Sequence, residues 1–111
     1  MKLRLEKSKI TIRLSPSEME LFSSSKFIEE KLIISDNNEF SFALSSNESP
    51  DMMTAQFKNG ALLVNIPAQK VEKWINSSQV GLKETIKSES GSEIQLTLEE
   101  DLPPRKFKKK D

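Results

Sequence analysis

The chain of 111 residues contains no cysteine, no histidine and no tyrosine, and it has one tryptophan and three glycines. Without cysteine and histidine there is no disulfide, no thiol nucleophile, no imidazole acid or base, and neither of the commonest zinc ligands. No apolar run reaches the roughly 20 residues that cross a bilayer as a helix, and residues 1–5 do not read as a signal peptide. We therefore expect a cytoplasmic protein with no membrane segment, no metal site, no cofactor and no catalytic residue.

The charges balance overall but are unevenly placed. There are 17 basic and 17 acidic residues, which gives a formal net charge of zero. Residues 102–111 form a basic tail that we expect to be disordered, and its cations are a candidate interaction segment: Arg105, Lys106, Lys108, Lys109 and Lys110. The body before this tail is mildly acidic and would oppose nucleic acid, so binding of nucleic acid through the tail is kept only as an alternative.

The two halves of the chain repeat the same apolar pattern at an offset of 52 residues. Aligned pairs include Leu5 with Phe57, Ile12 with Val64 and Phe22 with Trp74. The polar residues between these positions do not match, so the pattern indicates a repeated packing arrangement and not a repeated binding motif. We predict one domain at residues 1–101, with pseudo-repeats at 1–46 and 53–100.

Each half has the pattern strand, strand, helix, strand, strand. Residues 2–6 and 9–14 alternate polar and apolar side chains, as half-buried strands do. Ser15, Pro16 and Glu18 have the spacing of a helix start, and Asn59-Gly60 indicates a tight hairpin turn. The predicted fold is α+β, an antiparallel eight-strand curved sheet or barrel with two short helices, built from a duplicated unit. Periodicity does not separate the closed barrel from the open sheet.

Four basic residues are candidates for anion binding: Arg4, Arg13, Lys31 and Lys83. Strand periodicity places them on the face away from the helices, and in a closed barrel that face would line a lumen where cations hold phosphate. This layout resembles the triphosphate tunnel (CYTH-like) barrels, which implies metal-dependent hydrolysis of triphosphate as an alternative function. The alternating Glu-x-Glu-x-Lys strand of those enzymes is absent. The simpler interpretation is a solvated strand face of mixed charge.

Several short stretches resemble a family of small uncharacterised bacterial proteins: Met-Lys-Leu-Arg-Leu at 1–5, Ile-Thr-Ile-Arg-Leu at 10–14, Gln-Val-Gly at 79–81 and the acidic residues 99–101. The resemblance covers most of the chain and implies a free-standing cytoplasmic protein with no established activity. The sequence names no specific function. We predict a small non-enzymatic interaction or ligand-binding protein, whose partner is a protein or a small anion.

Overall fold

A computed structural model describes residues 1–47, 52–76, 81–87 and 90–101 of the chain. Within these residues the order strand, strand, helix, strand, strand occurs twice. The elements are β1 (Lys2–Glu6), β2 (Lys9–Leu14), α1 (Pro16–Ser25), β3 (Phe27–Ser35), β4 (Asn38–Asn47), β5 (Thr54–Lys58), β6 (Ala61–Pro67), α2 (Ala68–Asn76), β7 (Gly81–Lys87) and β8 (Glu93–Glu100).

The strands form two four-stranded sheets. Sheet A has the order β1-β2-β8-β7 and sheet B has the order β3-β4-β6-β5. Each half of the chain therefore contributes its first hairpin to one sheet and its second hairpin to the other. The outer pairs of each sheet are antiparallel, whereas the central pairs, β2 with β8 and β4 with β6, are parallel.

This topology confirms the α+β class and corrects two finer predictions. The sheets are mixed and not all antiparallel, and the strands do not close into a barrel. The physical reason is that alternation of polar and apolar residues reports which face of a strand is buried, and not which strand lies beside it. The parallel central pairs join strands from different halves of the chain, so no turn signal marks them in the sequence.

The hydrogen-bond registers of the two halves correspond, with one change of offset. The first hairpins match at 52 residues, so Leu5 corresponds to Phe57. The second hairpins match at 54 residues, so Phe42 corresponds to Leu96 and not to Ile94. The offset of 52 in the sequence alignment is therefore two residues too small for the strands that follow α2. Because side chains on a strand alternate with a period of two, this error still aligned apolar residues with apolar residues.

The inner faces of both sheets share one core with the helices. Phe22 on α1 and Trp74 on α2, which the sequence alignment pairs, are both fully buried in it. Helix α1 begins with the predicted capping box, in which the Glu18 backbone N–H donates to the Ser15 hydroxyl and the Ser15 N–H donates to the Glu18 carboxylate. The predicted turn at Asn59-Gly60 is also present, with positive φ at both residues.

A carboxylate holds the start of the first strand in each half. In the first half, the ammonium group of Met1 donates to the carboxylates of both Glu18 and Glu30. In the second half, the backbone N–H of Met53 donates to both oxygens of Glu84 at 3.2 Å. Glu30 and Glu84 are equivalent positions in the register of the second hairpins. We call these two arrangements the first and second clamps.

The two clamps contain different charged residues, and in each clamp the charges match the group that is bound. The helix residue of the first clamp is Glu18, which adds a negative charge beside an ammonium group. The matching residue of the second clamp is Lys70, whose Nζ lies 3.4 Å from Glu84, where the bound backbone amide is neutral. Each clamp therefore combines charges of both signs, as partly buried ion pairs require.

Candidate anion-binding face

The strand order of sheet A places four polar residues in one row across its outer face. Arg4 on β1 is the register partner of Thr11 on β2, and Thr11 is the partner of Thr97 on β8. Thr97 is in turn the partner of Lys83 on β7. We call Arg4, Thr11, Thr97 and Lys83 the outer row of sheet A. A cation stands at each edge of this row, and two hydroxyl groups lie between them.

The two threonines are buried although they face away from the core. Thr11 is 8% exposed and Thr97 is 6% exposed, because β2 and β8 are the central strands of the sheet. Among the described residues, no group forms a hydrogen bond with the buried Oγ1 of Thr97. A hydroxyl without a partner costs free energy, and it can donate to an incoming acceptor once the side chains that cover it move aside.

A second arginine and a lysine lie in the next row, where Arg13 on β2 is the register partner of Lys2 on β1. Lys2, Leu3, Arg4, Thr11 and Arg13 line a shallow pocket of about 140 Å³. This volume is well below the 300–1,000 Å³ of typical pockets for drug-sized ligands. The pocket therefore suits a small ion better than a nucleotide.

Acidic neighbours partly neutralise these cations. Arg13 donates to one oxygen of Glu99 from Nε at 3.2 Å and from Nη2 at 3.1 Å. Lys2 pairs with Asp101 at 3.2 Å, and Arg4 approaches Glu6 only to 3.9 Å. Lys83 has no salt-bridge partner within the part of the chain that the structure describes. Of these four cations, Arg4 and Lys83 are thus the least engaged.

The structure brings three of the four predicted anion-binding residues onto one face. Arg4, Arg13 and Lys83 share the outer face of sheet A, whereas Lys31 lies on β3 of sheet B, where its Nζ is 4.0 Å from Glu39. Because the strands do not close into a barrel, this face is open to solvent and does not line a lumen. The alternative in which this face lines the lumen of a closed barrel is therefore wrong.

The equivalent positions of sheet B carry different chemistry. The register that joins Arg4, Thr11, Thr97 and Lys83 in sheet A joins Gln56, Leu63, Ala43 and Glu29 in sheet B. We call these four residues the matching row of sheet B. It has no cation and no hydroxyl group, and it ends in an acid. The same backbone frame therefore presents an anion-attracting row on one sheet only.

Sequence reasoning missed the two threonines. Each stands between apolar residues of a strand that alternates, and an outward-facing threonine is ordinary in a strand. The one feature of the sequence that could have indicated them is that both lie at the middle of their strands. Their importance depends on the parallel pairing of β2 with β8, which the sequence did not predict.

A second group of cations lines a cleft between α2 and β7. This cleft of about 440 Å³ is lined by Gln69, Lys70, Lys73, Leu82, Lys83 and Glu84. Its carboxylate, Glu84, already accepts hydrogen bonds from Lys70 and from the Met53 N–H as part of the second clamp. The cleft is therefore explained in part by the packing of α2 against β7, and the outer row of sheet A is the stronger candidate site.

Four further features of the chain bear on a possible site. Trp74 is a core residue, 1% exposed. The described residues contain no group of three or more acidic side chains arranged to hold a metal ion. The predicted interaction tail at residues 102–111 lies outside the described residues. Neither α1 nor α2, nor any other helix in the described ranges, has the length and apolar character of a membrane-spanning helix.

The fold and the site together define a small two-sheet α+β protein with a basic, hydroxyl-bearing outer face. The chain belongs to DUF7009, a family of unknown function, whose model matches residues 1–107. No curated protein and no solved structure matches the chain significantly. Membership in an uncharacterised family is thus confirmed, no specific function follows from it, and the likeness to the triphosphate tunnel barrels is not confirmed.

Proposed function

We propose that this protein binds a small tetrahedral oxyanion, of the phosphate or sulfate type, on the outer face of sheet A and acts without catalysis. The observation that carries the proposal is the outer row itself, in which Arg4 and Lys83 flank the buried hydroxyl groups of Thr11 and Thr97. Guanidinium, ammonium and hydroxyl groups are the donors that bind oxyanions in proteins.

The geometry supports a ligand at the centre of the sheet. Adjacent strands lie about 4.8 Å apart, so the two edge cations are separated by roughly 14 Å between Cα atoms. Long side chains from both edges can lean over the central strands toward one ion. The free Oγ1 of Thr97 would then gain the hydrogen bond that it lacks among the described residues.

We expect weak binding. The Arg4 side chain is 73% exposed and that of Arg13 is 44% exposed, and exposed ion pairs contribute about 1 kcal/mol or less. Two or three such contacts and one hydroxyl hydrogen bond contribute at most about 4 kcal/mol, which corresponds to a Kd of roughly 1 mM or weaker. An affinity of this order suits a ligand that is abundant or that forms part of a larger molecule.

The proposal is tested by titrating isotope-labelled protein with inorganic phosphate or sulfate while amide chemical shifts are recorded. Sodium chloride of equal ionic strength separates site binding from general screening. We expect saturable shifts centred on Thr11 and Thr97. Thr97→Val should weaken binding at least threefold, although it removes an unpaired hydroxyl and should leave stability unchanged or higher by about 1 kcal/mol.

Lys31→Gln is the matched control, since Lys31 is an exposed cation on the outer face of the other sheet. It should leave phosphate affinity unchanged. The proposal fails if chloride causes the same shifts as phosphate, or if Thr97→Val and Lys31→Gln alter affinity equally.

We also infer that the strand-strand-helix-strand-strand unit is duplicated, with pseudo-repeats at 1–46 and 53–100 in a single domain at 1–101. The corresponding registers, the equivalent burial of Phe22 and Trp74, and the two clamps support this inference. The duplication supplies two similar sheets, of which only one carries the proposed site.

A further inference from the structure

A pocket of about 300 Å³ lies where α1, α2 and the end of β8 meet. Met19, Trp74 and Ile75 form its apolar part, and Glu20 and Glu100 each add a carboxylate. No basic residue is among the described residues that line it. Within the described ranges of the chain, neither carboxylate has a salt-bridge partner. The pocket therefore combines apolar surface with two negative charges that have no counter-charge there.

The tryptophan in the pocket wall lacks a hydrogen-bond partner. Trp74 is 1% exposed, and no group among the described residues accepts a hydrogen bond from its buried Nε1. Buried polar groups are paired in most native structures. A carbonyl oxygen can accept from this N–H once the side chains that cover it move aside. A stretch of polypeptide with basic side chains would bring both kinds of group that the pocket lacks, cations and carbonyl oxygens.

A basic segment of this chain begins at the rim of the pocket. Glu100 is the register partner of the core residue Leu14, so its side chain lies on the inner face of sheet A, toward the helices. The backbone N–H of Asp101 donates to the carbonyl of Leu14 at 2.6 Å, which fixes the point where residue 102 follows. Residues 102–111, outside the described structure, contain five basic residues and one acidic residue.

We propose that residues 102–107, which we call the proximal tail, dock in this pocket and pair Arg105 and Lys106 with Glu20 and Glu100. This inference is independent of anion binding, which concerns the outer face of sheet A. Charge supports the contact, because the pocket has two unpaired acids and the proximal tail has two bases and no acid. The family match also continues past the described residues and includes the whole proximal tail.

The reach of the proximal tail fits the pocket. The lining residues of α1 lie within positions 16–23, which span about 10 Å along a helix. The four residues from Asp101 to Arg105 cover at most about 14 Å when extended. Pro103 and Pro104 restrict the backbone to extended conformations, so less conformational entropy is lost on docking.

The covalent connection allows weak contacts to hold the segment. Exposed ion pairs contribute little by themselves, so a separate peptide of this sequence would bind poorly. A short tether gives the proximal tail an effective concentration in the millimolar range at the pocket. Docking should therefore be measurable in the full chain, and it should weaken when either the bases or the acids are neutralised.

Amide relaxation of the isotope-labelled full chain tests the inference. Rigid backbone has order parameters of about 0.85, and flexible backbone has values below about 0.6. We expect values above about 0.6 for residues 105–107 and below about 0.6 for residues 109–111. The double variant Arg105→Gln/Lys106→Gln should lower the values of residues 105–107 below about 0.6, and Glu20→Gln/Glu100→Gln should do the same.

Lys109→Gln/Lys110→Gln is the matched control, because it removes the same charge beyond the proposed contact and beyond the family match. It should leave the order parameters of residues 105–107 unchanged. Trp74 is the only tryptophan, so its indole N–H gives a single signal. This signal should move in Arg105→Gln/Lys106→Gln and stay in place in the control, while the dispersed amide signals of the sheets show that both variants remain folded.

Two results would overturn the proposal. The first is a wild-type chain in which residues 105–107 are as flexible as residues 109–111, or in which both tail variants have the same effect. The second is order at residues 105–107 that rises with protein concentration, because the cations in the pocket would then come from a second copy of the chain.

Discussion

Sheets A and B share one backbone arrangement and differ in what their outer faces present. The outer row of sheet A has a cation at each edge and hydroxyl groups at its centre, whereas the matching row of sheet B is formed by Gln56, Leu63, Ala43 and Glu29. The inner faces differ much less, since both contribute branched or aromatic residues to one core. Packing therefore constrains the inner faces of the two sheets in the same way, and leaves their outer faces free to differ.

The ends of the sheets show a second difference of the same kind. Leu5 and Phe57 are equivalent residues and are similarly exposed. Phe57, however, lies against Phe40, whereas the residue equivalent to Phe40 in sheet A is the aliphatic Ile94. The aromatic pair makes the end of sheet B a broader apolar surface. The proposed anion site thus lies on sheet A, and the broader apolar surface lies on sheet B.

The largest expected effects come from truncating the core aromatic residue of each helix, which tests whether the two helices are equivalent. Phe22→Ala and Trp74→Ala each remove a large side chain that is fully buried, and each should lower the free energy of unfolding by about 3–5 kcal/mol. Urea unfolding followed by circular dichroism measures both losses.

Leu21→Ala is the control for these two variants, because Leu21 is exposed on α1 and its truncation should cost roughly 0.5 kcal/mol or less. A large loss for only one of the two aromatic variants would show that α1 and α2 do not hold equivalent places in the core.

The first clamp should make stability depend on pH on both sides of neutrality. Burial by itself lowers the pKa of the Met1 amino group, but hydrogen bonds to Glu18 and Glu30, together with their charges, outweigh it and raise this pKa above its ordinary value of 8.0. Burial likewise raises the pKa of Glu18, but the Met1 ammonium group and the hydrogen bonds with Ser15 outweigh it and hold this pKa below 4.5.

The sign of each effect follows from linkage. The raised pKa of Met1 stabilises the fold below pH 8.0, and this contribution is lost as the pH rises through the raised value. The lowered pKa of Glu18 stabilises the fold above pH 4.5, and this contribution is lost as the pH falls through the lowered value. Stability measured by urea unfolding should therefore be highest between these limits.

Glu18→Gln should lower the free energy of unfolding by about 1 kcal/mol at pH 7, because it removes the charge and keeps an acceptor for the Ser15 N–H. It should also reduce the loss of stability at low pH and at high pH. Glu20→Gln, an exposed change on the same helix, should leave the pH profile intact. Equal pH profiles for wild type and Glu18→Gln would contradict the role of the first clamp.

The elements of the fold were predictable from the sequence, and their arrangement was not. The capping box at Ser15 and Glu18 and the turn at Asn59-Gly60 are local signals, since all the interacting atoms lie within a few residues. The pairing of β2 with β8 and of β4 with β6 joins distant segments, and period-two alternation is the same for parallel and antiparallel neighbours. That is why the antiparallel barrel was wrong although the helices and strands were right.

The same limit applies to the candidate site. The alternation of side chains along each strand places Arg4, Arg13 and Lys83 on an outer face of a sheet. It places Lys31 on an outer face as well, but that face belongs to the other sheet. Thr97 could not be selected at all, because its burial and its unpaired hydroxyl arise from neighbours far away in the chain. Alternation along a strand shows which face a residue occupies, but the order of the strands is needed to know which other residues lie beside it.

The smallest expected effect concerns the acid that competes for Arg13. Glu99 accepts both hydrogen bonds that Arg13 donates, and it lies one row from Thr97 on the same strand. An incoming oxyanion must share Arg13 with this carboxylate and is repelled by its charge. Glu99→Gln should therefore raise phosphate affinity about twofold to fivefold, the effect of an exposed pair worth up to about 1 kcal/mol. The shift titration described for phosphate measures this gain.

Glu39→Gln on sheet B is the matched control, because it removes the acid that faces Lys31 at 4.0 Å and lies far from the outer row of sheet A. It should leave phosphate affinity unchanged. If wild type binds phosphate and the two variants behave alike, Glu99 is not a competitor and the ion does not contact Arg13. The ligand would then contact the outer row alone, and Lys83→Gln would cost more affinity than Arg13→Gln.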